Sequence, residues 1–241
     1  MHNITLIGTR HEEAGFCTSD KLYKIFDVIN PDVIFEEMPP SYFDKYYVTN
    51  TRENLESSAI KKYLEHHNIK HIPVDSEDIP PESFFTEVEN LHKQIENLND
   101  INGFNYRKFV DENSLNIKLF GFQYINSDVA IKYCEIIDNS IKNGLQTIND
   151  EKLFRAYQNW QDVIIEMREN KMIQNIYNYS KENDFDRAVF TIGFSHRKSL
   201  MQKISEYQKN SDVKLNWIFY HNIAQFYNDE IIAFNENNLS C

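Results

Sequence analysis

Ile4-Thr5-Leu6-Ile7-Gly8-Thr9-Arg10-His11 is the stretch that decides the fold. Its apolar and β-branched run is too short for a helix and reads as a buried strand. The glycine that closes the run is expected to turn the chain sharply, so that His11 emerges at the strand's carboxyl end. Downstream, Ser19 or Asp20 is placed to cap a helix in which Leu22, Ile25, Phe26 and Ile29 recur at helical spacing, and Asn30-Pro31 stops it. Asp32-Val33-Ile34-Phe35-Glu36-Glu37 follows as a second strand, ended by Pro39-Pro40. The amino-terminal segment therefore reads β-α-β. A helical stretch over 54–68 and a third strand, His71-Ile72-Pro73-Val74, continue the alternation, which implies a mostly parallel sheet with helices on its faces.

The pattern changes at Glu82. From there to about Ser180 it is mainly 3.6-periodic and free of proline, and Leu153, Tyr157, Trp160, Ile164 and Met167 mark one apolar helix face. The expected organisation is α/β: a single domain over 1–241 with a helical insertion or cap over 82–182, and Ile117–Phe122 as a stray strand within it. Strands resume at Ala188-Val189-Phe190-Thr191-Ile192, closed by Gly193, and again over Val213–Tyr220 after another helix. No internal repeat or linker composition divides the chain.

Bulk composition narrows the function classes. The 241 residues carry 25 Lys and Arg against 37 Asp and Glu, a net charge of −12, and no long basic run. Nucleic acid is therefore not an expected partner, since phosphate binding draws on clustered cations. Cys17, Cys134 and Cys241 are widely spaced and lack a Cys-x-x-Cys pair, so reduced thiols in a cytoplasmic protein are expected, without a disulfide framework or zinc knuckle. The amino terminus has no secretory pattern, and no apolar stretch approaches the roughly 20 residues of a membrane span.

The residues with chemistry collect at strand ends. Gly193-Phe194-Ser195-His196 repeats the frame of Gly8-Thr9-Arg10-His11, and both follow a strand. In open parallel sheets ligands bind at the carboxyl edge, where both histidines would lie. Glu37 is preferred over Glu36 because Met38-Pro39 turns the chain and leaves Glu37 at the mouth. Arg168 shares the side of its helix with Ile164, and a guanidinium there needs a carboxylate partner. Glu37 or an anionic substrate group would serve. Arg10, Glu36, Asp75 and Arg197 are candidate substrate contacts. His66, His67, His71 and His92 read as surface or capping residues, with His221 in reserve, and Ser195 lacks the Gly-x-Ser-x-Gly surroundings of a nucleophile elbow.

Taken in order, strand-Gly-Thr-Arg-His, Pro31-Asp32-Val33-Ile34-Phe35-Glu36-Glu37-Met38-Pro39, Met167-Arg168-Glu169-Asn170-Lys171-Met172 and strand-Gly-Phe-Ser-His resemble the TraB/Tiki, erythromycin-esterase and ChaN-like superfamily over about residues 4–200. The resemblance implies an α/β core with a helical insertion and a site formed by His11, Glu37, Arg168 and His196. Tiki-like members are metal-dependent proteases, erythromycin esterases are hydrolases that activate water with histidine and glutamate, and ChaN-like members bind haem. The chain departs from the esterases in lacking a glutamate beside the first glycine. It is also expected to lack the Tiki membrane anchor and the ChaN lipid-attachment signal.

The leading expectation is a hydrolase acting on an ester or amide bond of a small molecule or peptide. In one version His11, Glu37 and His196 ligate a divalent cation, manganese, zinc or cobalt, which lowers the pKa of bound water. In the other a histidine works as general base without metal. The alternatives from other classes are a haem or small-ligand binder without turnover, and a scaffolding or toxin-neutralising protein in which the site is only inherited. The sequence leaves substrate and oligomeric state open.

Overall fold

The computed structural model describes His2–Tyr220. In chain order the elements are β1 (His2–Thr9), α1 (Ser19–Ile29), β2 (Val33–Glu36), a short 3₁₀ turn at Pro40–Tyr42, α2 (Phe43–Tyr47), α3 (Leu55–Leu64) and β3 (Lys70–Pro73). Then come α4 (Glu82–Glu96), α5 (Ile101–Ile125), α6 (Asp128–Ile148), α7 (Glu151–Asn159), a π-helical run over Trp160–Arg168 and α8 (Glu169–Glu182). The sheet resumes with β4 (Arg187–Gly193), a 3₁₀ turn at Phe194–His196, α9 (Arg197–Asn210) and β5 (Leu215–Phe219).

All four strand pairings are parallel, in the order β3-β2-β4-β1-β5, which is the α/β architecture expected. Side-chain alternation divides the sheet into two cores. Ile4, Leu6, Val33, Phe35 and Phe190 pack against α8 and α9 through Met172, Ile176, Leu200 and Ile204. Ile7, Ile34 and Val189 face the other way, onto Leu22 and Phe26 of α1, Ala59 and Tyr63 of α3, and Phe122 and Ile125 of α5. A third cluster, including Leu91, Ile95, Tyr106, Leu145 and Leu153, is made by α4 to α7 alone. The chain between β3 and β4 thus contributes to the main core while building one of its own.

Four local readings change. Thr18, not Ser19 or Asp20, caps α1, its hydroxyl accepting the Lys21 N–H at 3.3 Å. Ile117–Phe122 is not a strand. It belongs to α5, whose geometry breaks at Gly121 with φ of 53° where the β1–α1 loop docks and Phe16 N–H bonds to Lys118 O. Met167 is exposed, because the π-helical run rotates the apolar stripe after Ile164. Finally, Gly8 and Gly193 do not turn the chain through positive φ, and both lie within strands. Gly8 is needed for close approach instead. Asn126 brackets its peptide, donating to Gly8 O at 3.0 Å and accepting from Gly8 N at 2.7 Å, so a β-carbon would lie 3.1 Å from Asn126 Oδ1 and 2.7 Å from Arg197 Cδ.

Candidate functional site

The carboxyl ends of β1, β2, β3 and β4 deliver His11, Glu37, Asp75 and His196 to one edge of the sheet. Glu37 follows β2 directly. Its Oε2 accepts the Gly193 N–H at 2.7 Å, and its Oε1 lies 3.4 Å from Arg168 Nη2 and 3.7 Å from His196 Nε2. Arg168 binds Asp75 with two nitrogens, Nε to Oδ1 at 3.1 Å and Nη2 to Oδ2. Asp75 is 1% exposed at its side chain, so this fork neutralises a carboxylate that burial would otherwise penalise. Arg168 is therefore a positioning group that ties the end of β3 to the end of β2.

His196 is held from behind. Its Nδ1 lies 2.7 Å from Glu169 Oε1, while Glu169 Oε2 receives Lys203 Nζ at 3.0 Å. Burial pulls the His196 pKa down, yet the Glu169 hydrogen bond and the charges of Glu37 and Glu169 outweigh it and leave the ring above its ordinary value. Arg168 and Glu169 are consecutive residues where the π-helical run gives way to α8, and both reach the site.

His11 is the outermost member. Its carbonyl accepts the N–H of Leu55, and its Nδ1 lies 3.3 Å from Oε1 of Glu56 in the first turn of α3. That turn is fixed by a reciprocal cap between Asn54 and Ser57. The hydrogen-bonding Glu56 carboxylate, opposed by burial, pushes His11 up to about 9. The carboxylate thus favours the charged form of a ring that is 60% exposed at its side chain. His11, Glu37, Met38, Tyr42, Tyr46 and Glu53 contribute to the walls of an open cleft of about 320 Å³.

The other sequence-predicted residues sit differently. Both oxygens of Glu36 are engaged, by His71 Nδ1 at 2.7 Å and by the Tyr47 hydroxyl, so it braces the wall. Burial, and then the Glu36 charge, raise the Tyr47 hydroxyl far above its ordinary value. Asp75 holds Arg168 rather than facing the cleft. Arg197 is buried beneath Gly8 and donates to Ser127 O at 3.3 Å, away from the cleft. Arg10 is half-buried and does not line it. His221 lies outside the described residues.

The predicted ligands His11, Glu37 and His196 are not gathered into a three-ligand set. Among the described residues no three His, Cys, Asp or Glu side chains converge on a point that could hold an ion. Glu37 faces the Arg168 guanidinium, which already supplies the positive charge at that oxygen. No described helix is long and apolar enough to cross a membrane.

Glu56, Glu169 and Lys203 complete the site and went unread in the sequence. Glu56 carries one local signal, an acid following the Asn54 cap in a helix's first turn, which the helix dipole alone explains. Glu169 adjoins Arg168, but a regular helix would turn neighbouring residues about 100° apart.

No family model matches the chain, and no curated protein does. Among solved structures, a mutant of erythromycin esterase EreC in its open conformation is similar at 13% identity and a TM-score of 0.33, covering 79% of this chain. The chain spans 60% of that protein's length. At this score the likeness carries no argument about family or function.

Proposed function

We propose that the protein hydrolyses an ester or amide bond of a small molecule or peptide by metal-free acid–base chemistry at the carboxyl edge of its sheet. The observation that carries this reading is His11 at the cleft wall with Glu56 behind its Nδ1. A carboxylate in that position fixes the imidazole ring and favours its charged form. With a pKa of about 9, His11 is the proton donor to a leaving oxygen or nitrogen near neutral pH. Glu37 is an acceptor for a polar group of the substrate, held in place by the Gly193 N–H and Arg168. Glu169 and Asp75 position His196 and Arg168 respectively.

The test is a panel of carboxylic esters and amides on purified protein, with absorption spectroscopy and metal analysis of the same sample. Turnover of at least one substrate is expected, resistant to chelator, and reduced by on the order of 100-fold in His11→Gln when the leaving group is a poor one. A Soret band without turnover supports the haem-binding alternative. Activity that chelator abolishes and a divalent cation restores overturns the metal-free chemistry.

A further inference from the structure

Thr9 and Glu56 meet in the interior behind His11, where the Thr9 hydroxyl donates to Glu56 Oε1 at 2.7 Å. His11 Nδ1 approaches that same oxygen. The second oxygen, Oε2, is buried and has no hydrogen-bond partner among the described residues, on a side chain 11% exposed. Leaving a buried acceptor unmet is costly, and proteins usually answer such an atom with an ordered water where space allows. Space exists here. A cavity of about 10 Å³, close to the room one water needs, is bounded by Glu56, Glu36, Glu37, His11, Asn54 and Thr191. It shares His11, Glu37, Met38 and Asn54 with the larger cleft, so its content is next to whatever the cleft binds.

The three carboxylates around this cavity are not equivalent. Glu36 is committed to His71 and Tyr47, and Glu37 to Gly193 and Arg168. Glu56 alone among them keeps an oxygen without a donor. The amino-terminal turn of α3 also fixes it relative to the proton donor, because Leu55 N–H holds the His11 carbonyl at 2.9 Å.

We propose that Glu56 is a catalytic residue of the hydrolysis described above, on which this inference rests: its Oε2 holds the attacking water in the small cavity and takes its proton. The water oxygen bonds to the substrate's carbonyl carbon as one O–H bond breaks toward Glu56. When the tetrahedral intermediate collapses, the bond to the leaving oxygen or nitrogen breaks and that atom takes a proton from the His11 imidazolium. Glu56 then releases its proton to solvent and the vacant His11 Nε2 takes one up, so one water is consumed and both groups regain their starting states.

The experiment combines kinetics on p-nitrophenyl acetate with a high-resolution crystal structure of the wild type. Glutamine at 56 can still accept the Thr9 hydroxyl, and this activated ester needs no proton from His11, so a role confined to holding Thr9 and His11 predicts little change in Glu56→Gln. The inference predicts a kcat loss on the order of 100-fold or more with KM within about threefold, a smaller loss in Glu56→Asp, and an ordered water within hydrogen-bond reach of Oε2. Should Glu56→Gln not fold, Glu56→Asp carries the kinetic test. Unchanged kcat in the folded variant, or a cavity that is dry in the crystal, overturns the role of Glu56 and leaves the hydrolase reading standing. A wild type that holds the water yet turns over no ester or amide overturns the hydrolase reading and the catalytic role with it.

Discussion

His196 and Lys203 share one buried acid: Glu169 receives the imidazole on Oε1 at 2.7 Å and the ammonium on Oε2 at 3.0 Å. The pairing spans the end of β4, α8 and α9, so a single carboxylate binds three elements that meet at the sheet edge.

Removing that acid leaves the His196 Nδ1 without its partner and takes the buried carboxylate away from Lys203. Glu169→Ala is expected to destabilise the protein by about 3 kcal/mol or more, read by urea denaturation. Because His196 has a raised pKa in the fold, its share of stability is complete below its unfolded value of about 6.5 and is lost as pH rises through the folded one. The stability difference between wild type and His196→Gln should therefore shrink from neutral toward alkaline pH. A constant difference argues that the ring contributes through packing.

His11 gives the pH dependence of turnover. Its donor form is complete near neutral pH and lost as pH passes through about 9. Hydrolysis of an alkyl ester, whose leaving oxygen needs a proton, should fall along that limb in a pH-stat assay. A p-nitrophenyl ester, whose leaving group departs as the anion, should not. His11→Gln should likewise depress the alkyl ester far more than the activated one, while Glu56→Gln depresses both.

The two glycines that share a frame should differ in tolerance. Gly8→Ala drives a methyl to 2.7 Å from Arg197 Cδ and is expected to cost about 1–3 kcal/mol. At Gly193 a β-carbon meets Glu37 Oε2 and His196 Cδ2 at 3.4 Å, ordinary contact, and Gly193→Ala should stay within about 1 kcal/mol of wild type. Paired thermal melts compare them.

Arg168→Lys preserves charge and loses the fork. A lysine cannot bridge both oxygens of Asp75 while reaching Glu37, so kcat is expected to fall on the order of 10- to 100-fold through misplacement of Glu37. Thermal stability should fall as well, since Asp75 is left buried with a poorer partner. Wild-type kcat in this variant would mean that the charge suffices.

The sheet was legible because each strand is a short apolar run bounded by glycine, proline or an acidic turn, and strand ends alone locate His11, Glu37, Asp75 and His196. The turn at Met38-Pro39 singled out Glu37, which meets Gly193 and Arg168 at the edge, while Glu36 is taken up by His71 and Tyr47. Residues supplied by helices were harder. Glu56 and Lys203 reach the edge through the docking of α3 and α9, which no local period encodes. Arg197 was drawn in by sitting beside His196, but its side chain runs under Gly8. Ile117–Phe122 misled because a short apolar run in a buried helix has the same composition as a strand.

The position of β1 has a consequence for how the chain matures. Both of its partners, β4 and β5, lie near the far end of the described residues, whereas β2 and β3 neighbour each other in sequence and in the sheet. During synthesis the first strand must wait, apolar and unpaired, until nearly all of the described chain has been made, and contacts this distant in sequence close slowly. His11 and Glu56 can meet early through the short segment between β1 and α3. His196 can join them only when β4 inserts between β1 and β2, so completion of the central sheet and assembly of the site are a single late event.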